Sequence, residues 1–181
     1  MQRWAKLGGA TLVLAFAVAA GAQDKDKDEK KKFTDEDFVK SVANANLAEA
    51  KLGEVGQIKG TDPRVKEFAK RMVIDHAEVS HELRSAAKVA NVTVPEKMDA
   101  KHQEGVDRFQ NYKGKSFDKD FMKHIADDHK KAVELFDQAT KEAKNARLKA
   151  FATQTLPVIK EHRDLAKKIY DDLPGKEEKG K

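Results

Sequence analysis

Residues 62–90 read DPRVKEFAKRMVIDHAEVSHELRSAAKVA, and the fold is decided here. Asp62 before Pro63 is a helix start: a carboxylate to cap free N–H groups, then a proline at the first helical position, where its missing N–H costs nothing. Beyond it Val65, Phe68, Ala69, Met72, Val79, Leu83 and Ala86 recur at steps of three and four, which lays one apolar face along a helix to about Ala90. In the middle of that face stands His76, directly after Asp75. A titratable side chain on a core-facing stripe must be paired, hydrogen-bonded or metal-bound to be tolerated there.

On the N-terminal side of this stretch, Gly60 ends an earlier pattern in which Phe38, Val42, Ala45, Leu52 and Val55 predict a helix over 35–59 capped by Thr34. On the C-terminal side, Val92-Thr93-Val94-Pro95 is extended in character, and Gly105 and Gly114 interrupt a segment with room for one short helix, so 91–116 reads as a long crossover. A third long helix is predicted over 117–143, with Phe121, Ile125, Val133, Leu135, Phe136 and Ala139 inward. A fourth is predicted over 146–172, with Leu148, Phe151, Val158, Leu165 and Ile169 inward and a kink at Pro157, ending at Leu173-Pro174-Gly175. Two similarities share an offset of eighty-three residues: Phe38–Ala43 with Phe121–Ala126, and Arg64–Ala69 with Arg147–Ala152. A duplicated helical hairpin joined by a crossover gives an all-α four-helix bundle over 34–173.

The ends carry different information. Arg3 and Lys6, the apolar run Leu7–Ala20 and the small residues up to Ala22 have the three-part layout of a signal peptide, with cleavage expected after Ala22 and a periplasmic or secreted destination. Residues 23–33 are charged, with almost nothing to bury, and predict a disordered linker; 174–181 predict a disordered tail. The chain has no cysteine, so neither a disulfide nor a lipid-modified cysteine is available to it. Its formal charge of +5 falls to +3 once Arg3 and Lys6 are removed, with both signs intermixed, which argues against nucleic acid as partner. After signal cleavage no segment is apolar enough over a sufficient length to span a bilayer.

Two more acid-histidine pairs, Asp128-His129 and Glu161-His162, repeat what Asp75-His76 began. His129 shares a face with Ile125, Val133 and Phe136, and His162 with Val158, Leu165 and Ile169, so all three imidazoles point inward. Glu49 holds a comparable place in the first helix, one turn from Ala45 and Leu52, with Gly53 and Gly56 leaving room beside it. Counted from the tight turns at ~1.5 Å per residue, all four groups lie roughly 17 to 27 Å along their helices, near mid-length, so they fall at one level. Adjacent helical positions are ~100° apart, which puts Asp75, Asp128 and Glu161 on the shoulders, as ligands or as acceptors for the second ring N–H of a neighbouring histidine. The candidate metal site is therefore Glu49, Asp75, His76, Asp128, His129, Glu161 and His162, suited to Fe, Mn, Zn or Cu. Glu78-x-x-His81 has carboxylate-bridged di-iron spacing, yet His81 faces away from Met72, His76 and Leu83 and is set aside.

Phe68–His76, Phe117–Phe121 leading to Asp127-Asp128-His129, and Thr155–His162 together resemble domain-of-unknown-function family 4142. The resemblance covers about Phe33 to Leu173. It implies a ferritin-like bundle in the cell envelope and brings no activity with it. Direct acid-histidine adjacency on three helices departs from the Glu-x-x-His motifs of di-iron ferritins. An outer-membrane barrel, a label given to such proteins, lacks the alternating ten-residue strands it would require. The leading expectation is an exported metal-binding bundle that sequesters, stores or senses a transition metal. The alternatives are a metal-free interaction or envelope-stress protein with structural acid-histidine pairs, and a redox enzyme. No nucleophile elbow, phosphate loop or zinc-protease motif supports hydrolysis or phosphoryl transfer.

Overall fold

A computed structural model of the chain describes residues 32–175; the predicted signal segment, most of the charged linker and the last six residues lie outside the described residues. Five helices follow one another: α1 (Asp35–Lys59), α2 (Pro63–Ala90), α3 (Ala100–Gln110), α4 (Phe117–Glu142) and α5 (Ala146–Asp172). Their starts are set by local chemistry. The Thr34 hydroxyl accepts from the Asp37 N–H, the Asp62 carboxylate from the Arg64 N–H, and the Asn145 amide oxygen from the Arg147 and Leu148 N–H groups. Asp99 caps α3 in the same way, and that helix continues through Gly105, which does not break it. Proline is tolerated inside α5 too, where Pro157 leaves the Thr153 carbonyl without its helical donor. Asn91 ends α2 in the left-handed region at φ 56°.

The contacts between turns fix the helix directions. Asp118, in the first turn of α4, accepts from the Thr61 and Asp62 N–H groups of the α1–α2 turn. At the opposite end Asp35 accepts from the Lys144 and Asn145 N–H groups of the α4–α5 turn. The two hairpins therefore lie side by side, α1 against α4 and α2 against α5, each pair antiparallel. The crossover returns along α1, tied down where the Asn44 amide oxygen accepts from the Asp99 N–H at 2.7 Å and where Lys59 Nζ donates to the Tyr112 carbonyl. Among the described residues no helix is long and apolar enough to cross a membrane.

Apolar burial divides into two cores. Phe38, Val42, Leu83, Phe136, Leu148 and Phe151 lead the one near the α4–α5 turn. Leu52, Phe68, Met72, Phe121, Met122 and Ile125 lead the one near the α1–α2 turn. Between them every long helix changes character: His76 separates Met72 from Val79, His129 separates Ile125 from Phe136, and His162 separates Ile159 from Ala166. Asn46 and Glu49 make the same interruption in α1. A polar layer is thus sandwiched between two apolar ones.

Gly53 and Gly56 act differently from the sequence expectation. A Cβ on Gly53 would come within 2.8 Å of Val73 Cγ2 and 2.9 Å of the Ala69 carbonyl, and one on Gly56 within 2.8 Å of Ala69 Cβ and Phe121 Cζ. The space they leave is taken up by α2 and the Phe121 ring, so their role is close helix packing and not clearance for Glu49.

Candidate metal centre

His76, His129 and His162 come from three helices and meet in the polar layer. Ring centroids are 5.7 Å apart for His76–His129 and for His76–His162, and 5.3 Å for His129–His162. One nitrogen from each ring lies within 4.8 Å of one nitrogen from each of the others. None of the three residues is more than 5 % exposed.

Each ring is oriented by an acceptor on one of its nitrogens. His76 Nδ1 lies 2.7 Å from Asn46 Oδ1, and the Asn46 amide nitrogen donates to the His76 carbonyl and the Ser80 hydroxyl, so the amide oxygen faces the imidazole. His129 Nδ1 lies 3.0 Å from the Ile125 carbonyl one turn back in α4. His162 Nε2 lies 2.8 Å from Asp75 Oδ2, across the α2–α5 interface. A ring nitrogen facing an acceptor carries the proton, which leaves the other nitrogen with a bare lone pair. Those other nitrogens are His76 Nε2, His129 Nε2 and His162 Nδ1, all buried and without a hydrogen-bond partner, as is Glu49 Oε2. Leaving a buried polar atom unpaired costs about 1–3 kcal/mol, and four in one layer is a concentration native cores rarely carry.

The same burial sets the protonation states. Desolvation, helped by the neighbouring imidazoles, holds His76 well below the usual histidine range. Burial, then the charge of His162, brings His129 down to about 4. His162 is lowered by burial as well, against the opposing pull of its bond to Asp75. Glu49 is raised well above the carboxylate range, first by burial and then by the nearby charge of Asp128. At neutral pH the layer therefore offers three uncharged imidazoles, the form that ligates metals.

Of the acidic residues predicted for the site, the structure brings in some and turns others away. Asp75 meets a histidine, but His162 on α5 and not its own neighbour His76. Glu49 lies 4.0 Å from His129 Nδ1, beside the three-histidine set. Asp128 pairs with Lys131 and His124 on the α4 surface, and Glu161 with Arg71, and neither has an ion pair or hydrogen bond to the three histidines. The reason is the ~100° step: once the histidine faces the axis its predecessor lies toward the flank, where a lysine or arginine is within reach. Glu78 and His81 are exposed. Asn46 was missed by the sequence reading, although the eighty-three-residue offset of the internal repeat carries His129 onto it.

The donor set passes a test of fit. A tetrahedral ion at about 2.0–2.1 Å from each nitrogen would hold them about 3.4 Å apart, so from separations within 4.8 Å the rings need to close by at most about 1.4 Å per pair. Fold and site together define a helical bundle with a buried, acceptor-oriented histidine layer. The chain belongs to the family described as Domain of unknown function (DUF4142), whose model matches residues 19–169. No curated protein and no solved structure matches the chain.

Proposed function

We propose that the protein is an exported bundle that binds one transition-metal ion in its polar layer, for sequestration, storage or sensing. His76, His129 and His162 are the ligands, and the Glu49 carboxylate, 4.0 Å from the opposite nitrogen of His129, would close the coordination sphere by turning toward the ion. The observation that carries this reading is the set of four unpartnered atoms, three of them imidazole lone pairs whose opposite nitrogens are each fixed by an acceptor. Acceptors on the far side of the ring fix the tautomer and raise its basicity, which is what ligating histidines require of their surroundings. Asn46 and Asp75 are therefore positioning residues and not ligands. Nitrogen-rich, thiolate-free coordination favours Zn, Cu, Fe or Mn over Mg or Ca, which take oxygen shells.

Binding would bring a charge in among three neutral imidazoles, and it would favour the ionised form of Glu49, which burial otherwise disfavours. Metal analysis of protein purified without a chelator or histidine tag, followed by titration of the stripped form, tests this. The proposal requires one ion per chain, and uptake that disappears in His129→Ala. Thermal stability indifferent to chelator, together with an unchanged His129→Ala titration, would assign the layer a purely structural role.

A further inference from the structure

Of the three groups that orient the histidines, two are sealed in the core: Asn46 is 4 % exposed and Ile125 0 %. The third is not. The Asp75 side chain is 24 % exposed, so of these three groups it is the one that reaches solvent. It does so at a groove of about 430 Å³ between α2 and α5, lined by Arg71, Asp75, Glu78, Glu82, Gln154 and Thr155 among others. Three carboxylates and one guanidinium thus face a cavity lined by Asp75, whose carboxylate in turn bonds His162. Behind that bond is the His162 Nδ1 lone pair, buried and unpartnered. Arg71 closes the inner end: its Nε donates to Asp75 Oδ2 at 3.1 Å and its Nη1 to Glu161 Oε1 at 2.8 Å, strapping α2 to α5.

We propose that this α2–α5 groove is the port through which a divalent cation reaches the histidine layer, a reading that rests on the metal site above. Glu78, with Glu82 beside it shared with Arg147 of α5 at 3.6 Å, draws the cation to the mouth, and Asp75 receives it there. Arg71 is the gate, because its guanidinium, held on Asp75 Oδ2 and on Glu161, sets a positive charge in the path of a cation that approaches Asp75. The charges act on approach and admission, so they govern the rate of loading and not the number of ions held.

Stopped-flow loading of stripped protein with Co²⁺, followed by its visible absorption and read alongside equilibrium stoichiometry, separates these. At low ionic strength the double variant Glu78→Gln/Glu82→Gln is expected to load roughly tenfold more slowly, with unchanged stoichiometry, and the difference should shrink as salt is added. Arg71→Gln should load faster than the wild type. Circular dichroism confirms that each variant is folded, as expected for partly exposed side chains. Wild-type loading rates in both variants, with one Co²⁺ bound per chain, would overturn the port and leave the metal site standing. A wild-type chain that takes up no Co²⁺ while His129→Ala behaves identically would overturn both.

Discussion

Each of the three histidines is held by a different kind of acceptor: a side-chain amide, a main-chain carbonyl and a carboxylate. Asn46, sealed in the core, orients His76 from another helix. In Asn46→Ala the His76 Nδ1–H loses its acceptor, and metal affinity is expected to fall by about 10–100-fold in a competition titration, while the unpaired group costs about 1–3 kcal/mol in urea unfolding. Asp75→Asn should weaken the site through His162 by the same measurement, because an amide accepts less strongly than a carboxylate. At this scale the inward direction of His76, His129 and His162 was legible from three- and four-residue spacing alone. Asn46 lies four residues after Val42 and three before Glu49, so it was on the right face, but an uncharged amide among alanines gave no reason to stop there. The fates of Asp128 and Glu161 depended on Lys131 and Arg71, partners on a neighbouring turn and a neighbouring helix that no face assignment could choose.

Among the elements, the long helices were readable to within a residue because their ends are written in local chemistry: Thr34, Asp62 and Asn145 as caps, Pro63 at a first turn. The short crossover helix was less so, since Gly105 reads as a breaker and its tolerance depends on packing of Val106 and Phe109 against the rest. The close approach of α1 to α2 was also hidden, as a glycine in sequence does not say which backbone it admits. Gly56→Ala is expected to destabilise the fold by roughly 1–3 kcal/mol in urea unfolding, because the new Cβ would come within 2.8 Å of Ala69 Cβ and of the Phe121 ring, both fully buried. The eighty-three-residue repeat is imperfect where it matters: it carries His162 onto Val79 and His76 onto Ile159. The two hairpins therefore place their second-helix histidines about one turn apart in register, and the layer is built by departure from the duplication.

For the molecule as a whole, a polar layer between two apolar cores is a standing liability unless its free atoms are engaged. Stripped of metal, the protein should lose stability as pH falls. Below about pH 6.5 histidines of the unfolded chain take up protons, whereas burial keeps those of the folded layer neutral, His129 down to about 4. More protons are then bound by the unfolded state, so stability declines from about pH 6.5 toward 4. Glu49 opposes this, since its raised pKa makes the folded state hold its proton and its contribution is lost as pH rises. Three histidines against one carboxyl leave the acid loss dominant, visible as a falling urea midpoint between pH 7 and 5. The common height of the four groups was legible in the residue order, because counting positions along helices of similar length fixes it whichever way the hairpins pair. Which carboxylates join the layer was not, because that is decided by contacts across α1–α4 and α2–α5. The most direct measurement is calorimetric titration of chelator-stripped protein with Zn²⁺, beside the His129→Ala variant. One ion bound per wild-type chain and none by the variant is the predicted result; no uptake by the wild type, or the same uptake by both, would contradict a metal centre built on His76, His129 and His162.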